Sequence, residues 1–182
     1  MFLQRAENTL RYLVLLFFCL GFRLMRLPVP GNVEPVMASL LPVSKKFGEF
    51  SGFLFGASAI AFFDLATNNA GWWTLAAAIP YGLVGFLASK YFSYSKKPGR
   101  KEYVIASVGG TLLFDAITAP IFGFMFGQTL EATVLGQIPF TLWHLAGNIT
   151  FAFLLSPLIQ SSVLENESFS LSGVLKKAGV RA

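Results

Sequence analysis

Apolar residues in this chain fall into six runs that are separated by short polar segments. Inside a bilayer, a run of this kind is predicted to be helical, because a helix satisfies its own backbone hydrogen bonds. The second run has only eleven residues, too few for an upright helix across a hydrocarbon core about 30 Å thick, so we expect it to be short or tilted. The runs are Thr9–Leu27, Val33–Val43, Phe47–Leu65, Trp72–Phe92, Tyr103–Phe126 and Thr133–Ile159.

The composition supports a membrane location for these helices. Of the 182 residues, 54% are hydrophobic and 13% are charged, whereas a soluble domain has about 25% charged residues. This excludes a disordered chain and disfavours a soluble enzyme. At about 20 apolar residues per span, the length predicts an all-α integral membrane protein, a compact bundle of six transmembrane helices. Residues 1–182 are expected to form a single membrane domain with cytoplasmic tails at 1–8 and 162–182.

Lysine and arginine residues predict which helix ends face the cytoplasm. They form three clusters, whereas the segments Phe47–Ser89 and Glu102–Leu175 contain none. By the positive-inside rule the clusters are cytoplasmic, which places both termini inside and gives a multi-pass protein. Their charge suits anionic lipid, and we predict no nucleic-acid partner. The clustered residues are Lys45, Lys46, Lys90, Lys96, Lys97, Arg100, Lys101, Lys176, Lys177 and Arg181.

Two arginines, Arg23 and Arg26, depart from this charge pattern because they lie near the predicted outer end of the first helix. One interpretation is that their long side chains reach lipid head groups. The other is that they attract an anionic solute. The residue pattern leaves both open.

The chain contains two aspartates, and their surroundings repeat. Phe63-Asp64-Leu65-Ala66-Thr67 is echoed by Phe114-Asp115-Ala116-Ile117-Thr118, which predicts a parallel repeat of helix pairs. We therefore expect both carboxylates at the outer ends of their helices, at one membrane level. Either each caps a helix end, or each faces the bundle interior with a functional role.

A polar stripe is predicted on the last helix. His144 and Asn148 are four residues apart, and Gln137 lies seven residues before His144, so all three share roughly one face. Such a stripe needs a polar partner, which is either another helix or a bound solute. Trp72 and Trp73 likewise suit either an interfacial aromatic belt or stacking on a flat solute.

Small residues recur at helical spacing on three of the predicted helices. Such positions let helix backbones approach closely, either within the bundle or at a docking face for a membrane partner. The residues are Ala57 and Ala61, then Gly82, Gly85 and Ala88, then Ala106 and Gly110.

Motifs for chemistry are absent from the sequence. It has no phosphate loop, no nucleophile elbow, no zinc-protease motif and no C-x-x-C, and His144 is its one histidine. We therefore predict no enzyme activity, no cofactor and no metal. An intramembrane hydrolase using a carboxylate pair would require Asp64 and Asp115 to lie within hydrogen-bond reach.

Several segments resemble the substrate-binding (S) components of energy-coupling factor transporters. Pro30-Gly31-Asn32-Val33-Glu34-Pro35-Val36, followed by glycines at 48, 52 and 56, is similar to the front half of that family. Asn69–Thr74 and Pro80–Gly85 resemble its Gly-x-Trp-Thr loop and Gly-rich span, and Ile138–Pro157 resembles its last helix. The resemblance covers residues 20–160.

The resemblance implies a six-helix bundle in a prokaryotic cell membrane, with both termini cytoplasmic and a solute pocket near the outer face. The implied partners are a scaffold membrane subunit and two ATPase subunits, and the bundle is expected to topple to release its solute inward. The small-residue docking face that the family would place on the first helix is poor here, because only Gly21 interrupts Leu13–Leu27.

From this sequence we predict a membrane-embedded subunit that binds a vitamin or related micronutrient outside and releases it inside. The alternative is a structural or assembly membrane protein without a ligand, in which the polar stripe only joins helices. The predicted solute-binding residues are Asn32, Glu34, Asp64, Asn69, Trp72, Trp73, Tyr81, Asp115, Gln137, His144 and Asn148.

Overall fold

Six helices follow one another along the chain in the computed structural model, which describes residues 2–25, 33–95 and 97–166. Every regular element in these ranges is helical, which confirms the predicted all-α class. A π-helical segment, Ile159–Leu164, continues the last helix. The helices are α1 (Phe2–Leu24), α2 (Val36–Phe47), α3 (Glu49–Ala66), α4 (Trp72–Ser93), α5 (Arg100–Met125) and α6 (Leu130–Leu158).

Four of these helices, α3 to α6, are long and apolar enough to cross a membrane. This is the pattern of a helical membrane protein. The other two helices do not meet this criterion of length and hydropathy, for separate reasons. The second helix, α2, has only twelve residues, as its short apolar run predicts. The first, α1, is long but carries charged residues, and it begins at Phe2, so most of the tail expected at 1–8 is helical.

The short helix α2 is the centre of the bundle. Its residues from Val36 to Ser44 are buried, and α2 packs against all five other helices. Pro42 lies inside α2 and has no N–H to donate to the carbonyl of Ala38. The hydroxyl of Ser156 on α6 donates to that carbonyl instead, at 2.9 Å. A side chain of α6 thus replaces the hydrogen bond that the proline removes.

Glycines bring α3 and α4 into direct backbone contact. A methyl group on Gly56 would lie 2.5 Å from the carbonyl oxygen of Tyr81, and one on Gly85 would overlap the carbonyl of Gly52. The small residues expected on α4 are therefore used for packing within the bundle. On α3 the contact is made by Gly52 and Gly56, not by the alanine pair that the sequence pattern indicated.

Basic side chains close the helix ends at one end of the bundle. Lys45, at the end of α2, donates to the carbonyl of Phe92 at 3.0 Å and to that of Ser95. Arg11 of α1 donates to the carbonyl of Leu164 at 2.7 Å and to that of Asn166 at 3.0 Å. The last carbonyls of a helix have no partner within it, so these contacts satisfy them.

Candidate functional site

A cavity of about 390 Å³ lies at the opposite end of the bundle, where α1, α3 and α5 end and α4 and α6 begin. Its volume falls within the range of small-molecule sites, roughly 300–1,000 Å³. Five helices and the segment before α2 contribute to its wall. Its charged and hydrogen-bonding side chains include Arg23, Glu34, Asp64, Tyr81, Gln137 and His144.

Arg23 and Glu34 form an ion pair in the cavity wall. The guanidinium Nε lies 2.8 Å from the carboxylate of Glu34, and both side chains are largely buried. The guanidinium also lies over the ring of Phe63, 4.1 Å from its centroid. Burial raises the pKa of Glu34 above its ordinary value, and Arg23 opposes this shift. Arg23 is thus paired within the bundle and lines the cavity, and both interpretations that the sequence left open for it remain predictions. Arg26 lies outside the described residues.

Asp64 lies in the last turn of α3 and is held from α4. Thr74 donates its hydroxyl to the Asp64 carboxylate at 2.6 Å, and the same hydroxyl accepts the N–H of Gly71 at 3.1 Å. The carboxylate is buried and lines the cavity. Among the residues that the structure describes, no cation pairs with it.

Asp115 and His144 form the core of a hydrogen-bond chain between α5 and α6. His144 Nδ1 lies 2.8 Å from one carboxylate oxygen of Asp115, and Thr141 donates to the other at 2.6 Å. Gln137 donates in turn to Thr141 at 2.9 Å. An ionised carboxylate only accepts, so Nδ1 is the ring nitrogen that donates to Asp115. His144 and Gln137 line the cavity, with Asp115 behind His144.

Asn148 lies deeper than the cavity. Its amide donates to the hydroxyl of Thr111 on α5 at 2.8 Å, and the side chain is fully buried. Contrary to the expectation, Asn148 is not among the residues that line the cavity, and its side-chain oxygen has no hydrogen-bond partner among the described residues. The polar stripe of α6 thus divides: its outer part faces the cavity and its inner part joins two helices.

Tyr81 is the most unusual group of the site. The side chain is 2% exposed, lines the cavity and packs its ring against Phe114, with the ring centroids 5.0 Å apart. Its hydroxyl has no hydrogen-bond partner among the described residues. A buried polar atom without a partner costs about 1–3 kcal/mol, and Arg11, Ser39, Ser107 and Asn148 each contain one as well.

The two neighbouring tryptophans have different surroundings. Trp73 lines the cavity and donates its indole N–H to the carbonyl of Asn69 at 2.8 Å. Trp72 begins α4, points away from the bundle and is 78% exposed. Trp72 therefore does not line the cavity. Asn69 contributes its backbone carbonyl to the contact with Trp73, and its amide side chain does not line the cavity either. Asn32 lies outside the described residues.

The two aspartates lie at different positions along their helices. Helix α3 continues for two residues beyond Asp64, whereas helix α5 continues for ten residues beyond Asp115. The expectation that both end their helices is wrong for Asp115, because the apolar stretch after Thr118 extends α5 through Pro120. Within the described ranges, no hydrogen bond joins the two carboxylates, and each accepts from a threonine on the following helix.

The sequence pattern grouped neither Thr111 nor Thr141 with the candidate site. Thr141 is four residues after Gln137 and three before His144, so helical spacing could have included it in the polar stripe. Thr111 stands four residues before Asp115 in the same way. The Asn69–Thr74 segment includes Thr74 by resemblance, but the contact of Thr74 with Asp64 depends on how the α3–α4 turn folds.

A second depression of about 430 Å³ lies beside the cavity on the outer surface of α5 and α6. Its wall is almost entirely apolar, with Leu130, Val134, Ile138 and Leu142 along α6. No charged side chain lines it. It has the lining that lipid chains would contact, so the smaller cavity is the candidate site.

Searches against protein-family models, curated proteins and solved structures give no match to this chain. The functional interpretation therefore depends on the residues and geometry described above.

Proposed function

We propose that this chain is a membrane-embedded solute-binding subunit for uptake of a vitamin or related micronutrient. The observation that carries the proposal is the cavity itself, in which charged, polar and aromatic side chains from separate helices converge. Convergent polar groups in a mostly apolar pocket are typical of small-molecule sites. A protein that only joined helices would gain nothing from a buried Asp64 that lines a cavity and pairs with no cation among the described residues.

In the proposed membrane arrangement all six helices cross the membrane, and both termini are cytoplasmic. Lys45, Lys90 and Arg100 lie at the bundle end opposite the cavity, so the positive-inside rule supports a cavity that opens to the outside. Solute would then be captured outside and released inside.

The resemblance to the substrate-binding components of energy-coupling factor transporters supplies the proposed partners. These are a scaffold membrane subunit and two ATPase subunits. The sequence contains no phosphate loop, so the energy for release would come from those partners. The chain alone is expected to bind its solute without energy-dependent transport.

Mass spectrometry of small molecules that co-purify with the chain tests the proposal. We expect one solute in stoichiometric amount with the wild-type chain, and less of it with Tyr81→Ala and His144→Ala, because both residues line the cavity. Tyr91→Ala is the matched control, because Tyr91 is exposed on the same helix and the solute should be retained. Wild-type protein that carries no solute above the level of mock-purified membranes would favour the structural or assembly role.

Cysteine labelling in intact cells tests the topology. In a chain whose buried Cys19 is replaced by alanine, cysteines replacing Lys97 and Asn69 should be labelled from the cytoplasmic and outer sides, respectively. Labelling of both positions from one side would contradict the arrangement.

A further inference from the structure

The charged groups of the cavity indicate which kind of solute it accepts. Among the described residues, Arg23 is the one arginine or lysine that lines the cavity, and it is neutralised by Glu34 at 2.8 Å and covered by the ring of Phe63. An anionic solute would have to compete with Glu34 for this guanidinium. The cavity therefore offers no free positive group from the arginine.

Negative charge is left over after that pairing. Asp64 lines the cavity and is buried, and Thr74 holds only one of its oxygens. Asp115 stands behind His144, and the cavity region keeps a net negative charge whether that histidine is neutral or protonated. A buried carboxylate without a counter-charge is costly, so a bound cation would relieve a cost already present in the empty bundle.

Aromatic residues surround this negative group. Trp73, Tyr81, Phe114, Phe122 and Phe140 all line the cavity. Aromatic faces attract cations through the ring quadrupole, and they also stack on flat rings. The same wall thus suits a solute that is both flat and positively charged.

The hydroxyl of Tyr81 has no hydrogen-bond partner among the described residues, but it is closed off from open space. Buried polar atoms of Arg11, Ser39, Ser107 and Asn148 share this condition, and none of those four residues lines the cavity. The Asp64 carboxylate and the aromatic wall therefore carry the inference, and Tyr81 contributes its ring.

We propose that the solute is a flat heteroaromatic cation whose positive group lies against Asp64 and whose rings stack on the aromatic wall of the cavity. This inference rests on the proposed solute-binding function and adds to it the charge and shape of the solute. It replaces the anionic solute that the arginines suggested in the sequence.

Three probes built on one two-ring frame separate charge from shape. N-methylquinolinium is a fixed cation, quinoline is neutral at neutral pH, and quinoline-2-carboxylate is an anion. We would titrate each by calorimetry against the full-length wild-type chain in lipid nanodiscs. The cation should bind about tenfold or more tightly than the other two, and this ranking requires no variant.

Asp64→Asn tests the proposed contact, since an asparagine can still accept the hydroxyl of Thr74 but carries no charge. The variant should bind the cation about tenfold more weakly, at the level of the neutral probe, whose affinity should not change. Glu49→Gln is the matched control, because Glu49 is an exposed carboxylate on the same helix, at its other end. That variant should keep the wild-type preference.

The possible outcomes distinguish the inference from the function on which it rests. If the neutral or anionic probe binds most tightly, or if Asp64→Asn keeps the preference for the cation, the inference that the solute is a cation is wrong. The proposed solute-binding function would still stand in either case. Failure of all three probes to bind saturably to the wild-type chain would overturn solute binding in this cavity, and the inference with it.

Discussion

The carboxylate of Asp115 accepts the Nδ1–H of His144 across the α5–α6 interface, with the two atoms 2.8 Å apart and both side chains almost fully buried. Thr141 binds the second carboxylate oxygen at 2.6 Å. Asp115 therefore fixes the orientation of the imidazole as well as its tautomer. His144 thus lines the cavity with its Nδ1 side held from α5.

Removing the charge of Asp115 should weaken the helix pair. In Asp115→Asn the new amide can accept only through its oxygen, so one of the two hydrogen bonds is lost or reversed. We expect a loss of about 2 kcal/mol in the free energy of unfolding, as for hydrogen bonds to charged groups. Equilibrium unfolding in mixed micelles, followed by tryptophan fluorescence, measures it. Glu131→Gln, an exposed change at the start of α6, should stay within about 0.5 kcal/mol, and an equal loss in both variants would contradict the prediction.

Substitutions of His144 and Asn148 should have different effects, although the two residues share one helix face. His144→Ala removes a polar group from the cavity wall, so solute affinity should fall by ~1–3 kcal/mol. Asn148→Ala removes only the hydrogen bond to Thr111, so stability should fall by about 1 kcal/mol with affinity unchanged. Calorimetry with the co-purifying solute and unfolding measurements separate the two effects. Equal losses of affinity would place Asn148 in the site.

A methyl group at Gly85 should force α3 and α4 apart. Gly85→Ala places its Cβ into the carbonyl of Gly52, and backbone cannot move aside as a side-chain tip can. We expect a loss of about 2 kcal/mol or more in unfolding free energy, in the range for overpacked cores. Gly109→Ala is the control, because nothing lies within 4 Å of the added atom. That variant should be neutral or slightly more stable, and equal effects would show that α3 and α4 do not pack as described.

The Arg23–Glu34 pair should behave as one unit in a double-mutant cycle. Arg23→Met leaves Glu34 without its counter-charge, and Glu34→Met leaves Arg23 in the same condition. Each single change should cost roughly 2–3 kcal/mol for a largely buried pair, while the double variant should cost much less than the sum. Thermal and chemical unfolding of the four proteins gives the coupling energy. Additive losses would mean that the two side chains do not depend on each other.

The helices could be predicted from the apolar runs because lipid imposes a strong pattern on the chain. The run Trp72–Phe92 corresponds to α4, Trp72–Ser93, and the short second run gives the twelve-residue α2. The start of α1 was missed because hydropathy marks only the apolar part of a helix. The turns with Arg5 and Glu7 are helical although they are polar.

The candidate site could be predicted only in part, because sequence spacing describes one helix at a time. It grouped Gln137 with His144 on a face of α6, and both line the cavity. Spacing could not show that Arg23 meets Glu34, since that contact joins the end of α1 to the segment before α2. The depth of Asp115 was missed because the echo with Asp64 was given more weight than the apolar run Tyr103–Phe126, which already continues beyond Asp115.

The glycine contact between α3 and α4 has a mechanical consequence for the cavity. Where side chains fill an interface, rotamer changes can absorb a displacement, but Gly52 and Gly85 meet backbone to backbone. The α3–α4 hairpin, which carries Asp64 and Trp73, is therefore the stiff wall of the cavity. The compliant wall is the start of α6, where Phe140 is partly exposed and the described backbone packs on α5 but not on α3 or α4. A solute of unexpected size would be accommodated by strain in α6, while its distance to Asp64 stays set by the hairpin.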